Sequence, residues 1–311
     1  MSIRVGIGAG MVPSITPPVL WRWIALCEQS GIDSIWHSDQ ILGPAPDPIV
    51  MMAGLAARTE RMRFGMNALV VPFREPLIVA KQIASIDYLS GGRVLPMFGV
   101  GADNDPYWNA TGRSAAQRGA RANEAIALIR ALLEEQEVAF DGVHFQYHGP
   151  GVQPRPQHPI PLWIGGDSRA AIRRTAAAGD GWIGGLSSVD KTIQTVAEIK
   201  AELALTGRTI DDDHYGATVP FRIGAPDDAA VTTMRDRLAS RRAGAGVELH
   251  QIIAAGEPEV IVSHIRTYVA AGISKFVALP VAKDGEDLLD QTNRLARDVI
   301  PHIESLELGR A

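Results

Sequence analysis

Ser90-Gly91-Gly92-Arg93-Val94-Leu95-Pro96-Met97-Phe98 is the stretch on which the fold turns. A helical run closes on a small residue and glycine, and an apolar strand begins within a residue or two. The same device returns at Ser30-Gly31 before Ile32-Asp33-Ser34-Ile35-Trp36, and at Ala178-Gly179 before Asp180-Gly181-Trp182-Ile183. It occurs a fourth time at Ala271-Gly272 before Ile273-Ser274-Lys275-Phe276-Val277. Glycine ends helices in the left-handed conformation because it has no Cβ to clash there. Four such junctions predict helices alternating with short buried strands, the pattern of a parallel sheet.

Eight strands follow, at about 3–9, 33–37, 62–67, 93–98, 161–165, 180–184, 215–222 and 275–279. Between them Thr16 is placed to cap a helix that has Pro17 at its first position and Leu20, Trp23, Ile24 and Cys27 on one face. Near the end Leu288, Leu295, Ala296 and Val299 form another such face, interrupted by Pro301. Eight β/α units in one domain spanning 1–311 predict an α/β fold, the (β/α)8 TIM barrel with insertions. A doubly wound dinucleotide fold needs G-x-G-x-x-G opening a helix. Gly6-Ile7-Gly8-Ala9-Gly10-Met11 and Gly99-Val100-Gly101-Ala102-Asp103-Asn104 both lack the third glycine, so the barrel is preferred. Two insertions interrupt the alternation. Residues 137–148 read as a hairpin with a tight Asp141-Gly142 turn. Residues 223–256 hold an amphipathic helix around Val231–Leu238 and the Gly-rich run Arg242–Gly246, the build of a lid.

Composition narrows the function. Of 311 residues 46% are apolar, enough for a large core, and the formal charge is −5 with no basic run. Nucleic-acid binding is not expected. No apolar stretch reaches the roughly 18 residues of a membrane span. Met1-Ser2-Ile3-Arg4-Val5 lacks the build of a secretory signal, and the lone Cys27 cannot form an internal disulfide. A cytoplasmic protein is expected.

In a barrel the chemistry sits at the carboxyl ends of the strands. Ile164-Gly165-Gly166-Asp167-Ser168 runs from a strand through two glycines to a helix start, so Ser168, the glycine amides and Arg169 or Arg173 make an anion site. Its bland alternative is a plain capped helix. His37 and Asp39 close strand two and are candidates for proton transfer, against a structural histidine in the barrel wall. No metal site is expected. His144 and His148 lie about 13 Å apart along a strand, and Asp211–Asp213 reads as a solvated loop. No G-x-S-x-G elbow supports a hydrolase.

The residues resemble the bacterial luciferase-like monooxygenase superfamily, flavin- and deazaflavin-dependent TIM barrels, over nearly the whole chain. The resemblance rests on Glu28-Gln29-Ser30-Gly31-Ile32-Asp33-Ser34-Ile35-Trp36-His37-Ser38-Asp39, on Arg74-Glu75-Pro76-Leu77 through Asp87, and on Leu89-Ser90-Gly91-Gly92-Arg93. It continues in Phe98-Gly99-Val100-Gly101, Arg118-Gly119-Ala120-Arg121 with Glu124, Ile164-Gly165-Gly166 and Gly179-Asp180-Gly181-Trp182. Within it the chain is most similar to the coenzyme F420-dependent oxidoreductases. That implies hydride transfer between F420 and a small unsaturated or carbonyl substrate. FMN-dependent monooxygenation and a non-catalytic flavin-binding relative are the alternatives.

The family's strand two ends in an Asp-His pair. Asp39 matches the Asp, whereas Gln40 stands at the His position and cannot transfer a proton, so either His37 takes that work or the mechanism differs. The family's non-proline cis peptide behind the ring would fall at Asn67-Ala68. Asn104 stands where some sugar-phosphate members carry a catalytic Glu. Phosphate-binding backbone maps to Ala102-Asp103 and Gly165-Gly166, and Tyr107 joins the cofactor-contacting set. The partners to expect are a small-molecule substrate, a second copy of the chain, and, on the FMN reading, a separate reductase. Trp36, Phe73, Tyr107, Trp108 and Trp182 predict an aromatic-lined pocket.

Overall fold

The structure, a computed structural model, describes residues 3–9, 15–241 and 252–304. Thirteen strands occur among the described residues: β1 (Arg4–Gly8), β2 (Ser34–His37), β3 (Arg63–Met66), β4 (Leu69–Val70), β5 (Val94–Leu95), β6 (Met97–Gly99), β7 (Glu137–Asp141), β8 (Gln146–Pro150), β9 (Trp163–Gly165), β10 (Gly181–Gly184), β11 (Tyr215–Ile223), β12 (Ala254–Gly256) and β13 (Lys275–Pro280). Every anticipated strand position is occupied. The third is β3, with β4 following it across a first break at residues 67–68, and the fourth is split by a second break into β5 and β6. Pro96 sits at the second break, where it cannot donate to a ladder. The short β12 was not anticipated, since three residues are too few to show a period.

The chain divides into two compact units. The first comprises Met1–Trp36, Ile183–Ala201 and Ile210–Ala311. Here β1 pairs in parallel with β2 (Ile7 opposite Ile35) and with β13 (Val5 opposite Phe276). Strand β11 runs parallel to β13 along six residue pairs and also takes β12 on its last three residues. The amphipathic helix expected near Val231–Leu238 is Ala229–Arg241, and it buries Val231, Met234 and Leu238 against Ile253 and Val281. The Gly-rich run Arg242–Gly246 lies outside the described residues.

The second unit comprises His37–Trp182 and Glu202–Thr209. Its parallel pairs are β3 with β5, β4 with β6 and β6 with β9. Phe64, Phe98, Trp163 and Trp182 are fully buried beside these strands, and each such side chain contributes about 1.5–3 kcal/mol by leaving water. Arg93, from the deciding stretch, donates to Thr59 Oγ1 (2.6 Å), Thr59 O (2.7 Å) and Met62 O (2.8 Å). It thereby ties the end of helix Pro48–Arg58 to the start of β5.

Several local expectations are corrected. Gly91 and Gly272 are left-handed (φ 66° and 84°), but Gly31 and Gly179 are not. Gly179 is required by space instead, because a Cβ there would stand 2.9 Å from Thr175 O. Thr16 occupies the N-cap position of Pro17–Gln29 without a side-chain hydrogen bond. The hairpin β7–β8 exists, but Asp141 pairs with Gln146 and the loop is residues 142–145, not a tight Asp-Gly turn. The Glu124 carboxylate holds that loop open by accepting from the N–H groups of Val143, His144 and Phe145. His144 therefore sits in the loop, and His148 bonds Asp141 at 2.8 Å. The interruption expected at Pro301 falls just before it. A π-helical turn, Leu295–Val299, precedes Ile300–Glu304 and absorbs the hydrogen bond that proline cannot donate.

Candidate active site

All the residues singled out from the sequence as catalytic or cofactor-binding fall in the second unit. Strand β2 ends at His37, whose imidazole is buried (5% exposed). Its carbonyl accepts from Asn67 N at 2.7 Å, which joins the end of β2 to the break between β3 and β4. In that break the Asn67–Ala68 peptide is cis, as the resemblance implied. The Ala68 methyl faces two glycines that end strands: a Cβ at Gly99 would lie 3.2 Å from it and one at Gly165 3.8 Å. A Cβ at Gly165 would also stand 2.6 Å from Met97 Cε. The carboxyl ends of β2, β6 and β9 thus meet around backbone and two methyl groups, Ala68 Cβ and Met97 Cε, with no side chain rising from Gly99 or Gly165.

Asp39 lies just beyond β2, and its side chain is 2% exposed. One oxygen accepts from Val70 N at 3.0 Å, and both lie 3.0 Å from an Arg74 nitrogen. Arg74 also reaches Asp47 at 2.8 Å. Asp47 in turn caps helix Pro48–Arg58 through the N–H groups of Ile49 and Val50. Burial alone would pull the Arg74 guanidinium down, but Asp39 and Asp47 outweigh it and hold the group above its ordinary value. Burial likewise pushes Asp47 up, yet Arg74 and the two N–H groups keep its carboxyl below the usual range. Arg74 and Val70 are the functional neighbours that sequence reasoning missed. Arg74 stood in a quoted motif, but nothing in its spacing pointed back to Asp39.

The remaining residues form a rim. Gln40 is half-buried, and its carbonyl accepts from Gly43 N at 2.9 Å in a tight turn. Tyr107 Oη accepts from Leu42 N at 3.1 Å, tying the 41–46 loop to the segment after β6. Phe73 packs edge-on to Tyr107 (5.9 Å) and against Trp108 (4.2 Å). Trp108 Nε1 donates to Ala102 O at 2.7 Å. Ala102, Asp103 and Asn104 are exposed, with Asp103 3.8 Å from Arg118. Asn104 makes none of the contacts that join the others. Trp182 is buried and donates to Gly166 O at 2.8 Å, whereas Trp36 belongs to the first unit and its indole bonds Ser34.

Beyond Gly165, Gly166 turns the chain at φ 103° into helix Arg169–Ala178. Ser168 caps it through Ala171 N (3.2 Å). The first-turn N–H groups of Arg169 and Ala170 stay outside the helix's own bonding, beside the exposed Arg169 side chain. Asp211, Asp213 and His214 come within 4.8 Å of one another among the described residues, but on an exposed turn where Lys200 pairs with Asp212.

Over residues 3–275 the sequence matches one family, described as luciferase-like monooxygenase. The chain belongs to the luciferase-like monooxygenases. An F420-dependent glucose-6-phosphate dehydrogenase of Kineococcus radiotolerans is 26% identical over 92% of this chain and 93% of its own length. Among solved structures, monooxygenase RslO1 from Streptomyces bottropensis superposes with a TM-score of 0.80 at 20% identity, covering 96% of this chain and 99% of its own. An F420-dependent secondary alcohol dehydrogenase, solved with an F420-acetone adduct, gives 0.80 at 18% identity over 97% and 99%. The fold is the luciferase-like TIM-barrel type. No described helix is long and apolar enough to cross a membrane.

Proposed function

We propose that this protein is an F420-dependent oxidoreductase acting on a small unsaturated or carbonyl compound. The observation that carries the reading is the floor of the candidate site. Ala68, Gly99 and Gly165 bring strand-end backbone close together with only the methyl groups of Ala68 and Met97 beside it, which supports close approach of a planar ring to the backbone. The helix start at Ser168-Arg169 offers N–H groups and a cation to a phosphate, so the residues fit a phosphorylated deazaflavin. The full-length likeness to an F420-dependent dehydrogenase supports the same cofactor.

When bound, reduced F420 supplies a hydride, and the chain's own residues do the rest. Asn67-Ala68, Gly99 and Gly165 support the ring. Gly166, Ser168 and Arg169 hold the phosphate, with Ala102 and Asp103 on the facing loop. Asp39 acts through Val70 and Arg74, fixing the segment that follows the cis bond. Gln40 and Tyr107 border the ring at the rim. His37, buried at the end of β2, holds the proton that the substrate receives. Asn104, exposed and apart, contacts substrate at the entrance. A second reading, FMN-dependent monooxygenation with a separate reductase, is favoured by the family's description.

Equilibrium binding of F420 and FMN, then turnover with and without oxygen, tests the proposal. Preferential F420 binding with oxygen-independent turnover is the expected result. Oxygen consumption with reduced FMN would replace it with the second reading. His37→Gln is expected to lower F420-dependent turnover by roughly 10²–10⁴ with cofactor affinity kept. Unchanged turnover would remove His37 as the proton source.

A further inference from the structure

The second unit holds a cavity of about 460 Å³ well away from the floor just described. Arg63, the first residue of β3, lines it together with Asp87 and Gly91-Gly92 from the end of helix Pro76–Ser90. Arg155, Gln157 and His158, on the segment leading into β9, add polar groups to its wall. The strands here run parallel, so this cavity lies at their amino ends and the candidate active site at their carboxyl ends.

Two opposite charges face the cavity without neutralising each other. Asp87 is 9% exposed, and among the described residues its carboxylate has no hydrogen bond or ion pair. Burial pushes its carboxyl up, while the charge of His158 pulls the other way. It also stands in the last turn of its helix, where the helix dipole disfavours an anion. The half-buried Arg63 guanidinium is equally without a hydrogen bond or ion pair among the described residues. Arg155, by contrast, is engaged: its guanidinium donates to Glu134 O and Glu135 O. Gly91 and Gly92 leave open space, with nothing within 4 Å of where a Cβ would stand.

A partly buried carboxylate is costly to the folded state unless something pairs with it. The charge of His158 offsets this only in part and no hydrogen bond does so, and the cavity beside Asp87 is of ligand size, since binding pockets run to roughly 300–1,000 Å³. We propose that this cavity is a second ligand site, for a small zwitterion of the amino-acid or dipeptide class. The ligand's ammonium sits on Asp87 and its carboxylate on Arg63. This inference does not rest on the redox reading.

Ligand-observed NMR on the full chain tests it, with the proteinogenic amino acids and glycyl dipeptides as individual probes. At least one is expected to bind at about 1 mM or tighter. Asp87→Asn and Arg63→Gln should each weaken it by about tenfold or more, because each removes one charge-assisted contact. The far-ultraviolet circular dichroism spectrum of each variant serves as the folding control and should match the parent. No binding by any probe would overturn the proposal. So would binding that both variants retain, which places the ligand elsewhere. Loss in one variant alone would show a simple ion, not a zwitterion, and would also overturn it.

Discussion

At the scale of single residues, Asp39 shows a buried carboxylate acting through its neighbours. Its oxygens accept from Val70 N and Arg74, so its removal loosens the segment after the cis bond and leaves Arg74 with Asp47 alone. Asp39→Ala is expected to cost about 1–3 kcal/mol, the penalty for a half-buried charge and a backbone N–H that lose their acceptor. It should also weaken F420 binding, while Asp39→Asn, which keeps an acceptor for Val70, should restore part of both. Urea unfolding and cofactor titration of the two variants check this. Unchanged binding in Asp39→Ala would show that the floor holds its shape without this pairing. Residue types at strand ends marked His37, Asp39 and the Gly165-Gly166 pair in the sequence. The Asp39–Arg74 pairing was not visible, because thirty-five residues separate the two and no period links them.

Elements carry the next level of the argument. The helix-to-strand junctions were legible because they combine a terminator with an apolar run, and all eight strand positions are occupied. What escaped was set by tertiary contact. The 142–145 loop takes its length from the Glu124 carboxylate on another helix. The cis Asn67–Ala68 bond between β3 and β4 is encoded by no propensity, and only the resemblance indicated it. Helix Arg169–Ala178 offers the sharpest element-level test. At Gly166 a side chain faces a backbone φ of 103° and a contact of 3.2 Å to Ala171 Cβ. Left-handed geometry costs a non-glycine residue roughly 1–2 kcal/mol, so Gly166→Val should be destabilised by at least that amount. It should also lose cofactor affinity, since the β-branched side chain covers the helix start. Ser168→Ala separates the two effects: it removes the cap, worth about 1 kcal/mol, but leaves the N–H groups open. Thermal melts with and without F420 measure both. Parental affinity in Gly166→Val would move the phosphate to another element.

For the whole molecule, response to acid is the sum of carboxylates that folding shifts in opposite directions. In the first unit Asp228 accepts from Ala230 N at 2.8 Å and from Arg222 at 3.0 Å, with Lys283 at 3.4 Å. The Ala230 N–H, and then Arg222 against the opposing effect of burial, hold its carboxyl below the usual range. Asp47 in the second unit is shifted the same way. A depressed folded value means stability that is fully present above the ordinary carboxylate pKa of about 4 and is lost as pH falls through the lower folded value. Asp87 is shifted upward, so its ionised form burdens the folded state at neutral pH, and protonation relieves that burden as pH falls through the raised value toward about 4. Asp228→Asn should therefore cost about 1–3 kcal/mol at pH 7, with the deficit closing below about pH 4. Asp87→Asn should do the reverse: more stable than the parent at pH 7, with the advantage disappearing as pH approaches about 4. Urea midpoints of the three proteins across this pH range read both signs. A deficit in Asp228→Asn that stays constant with pH would mean that its hydrogen-bond geometry, not its charge, stabilises the first unit.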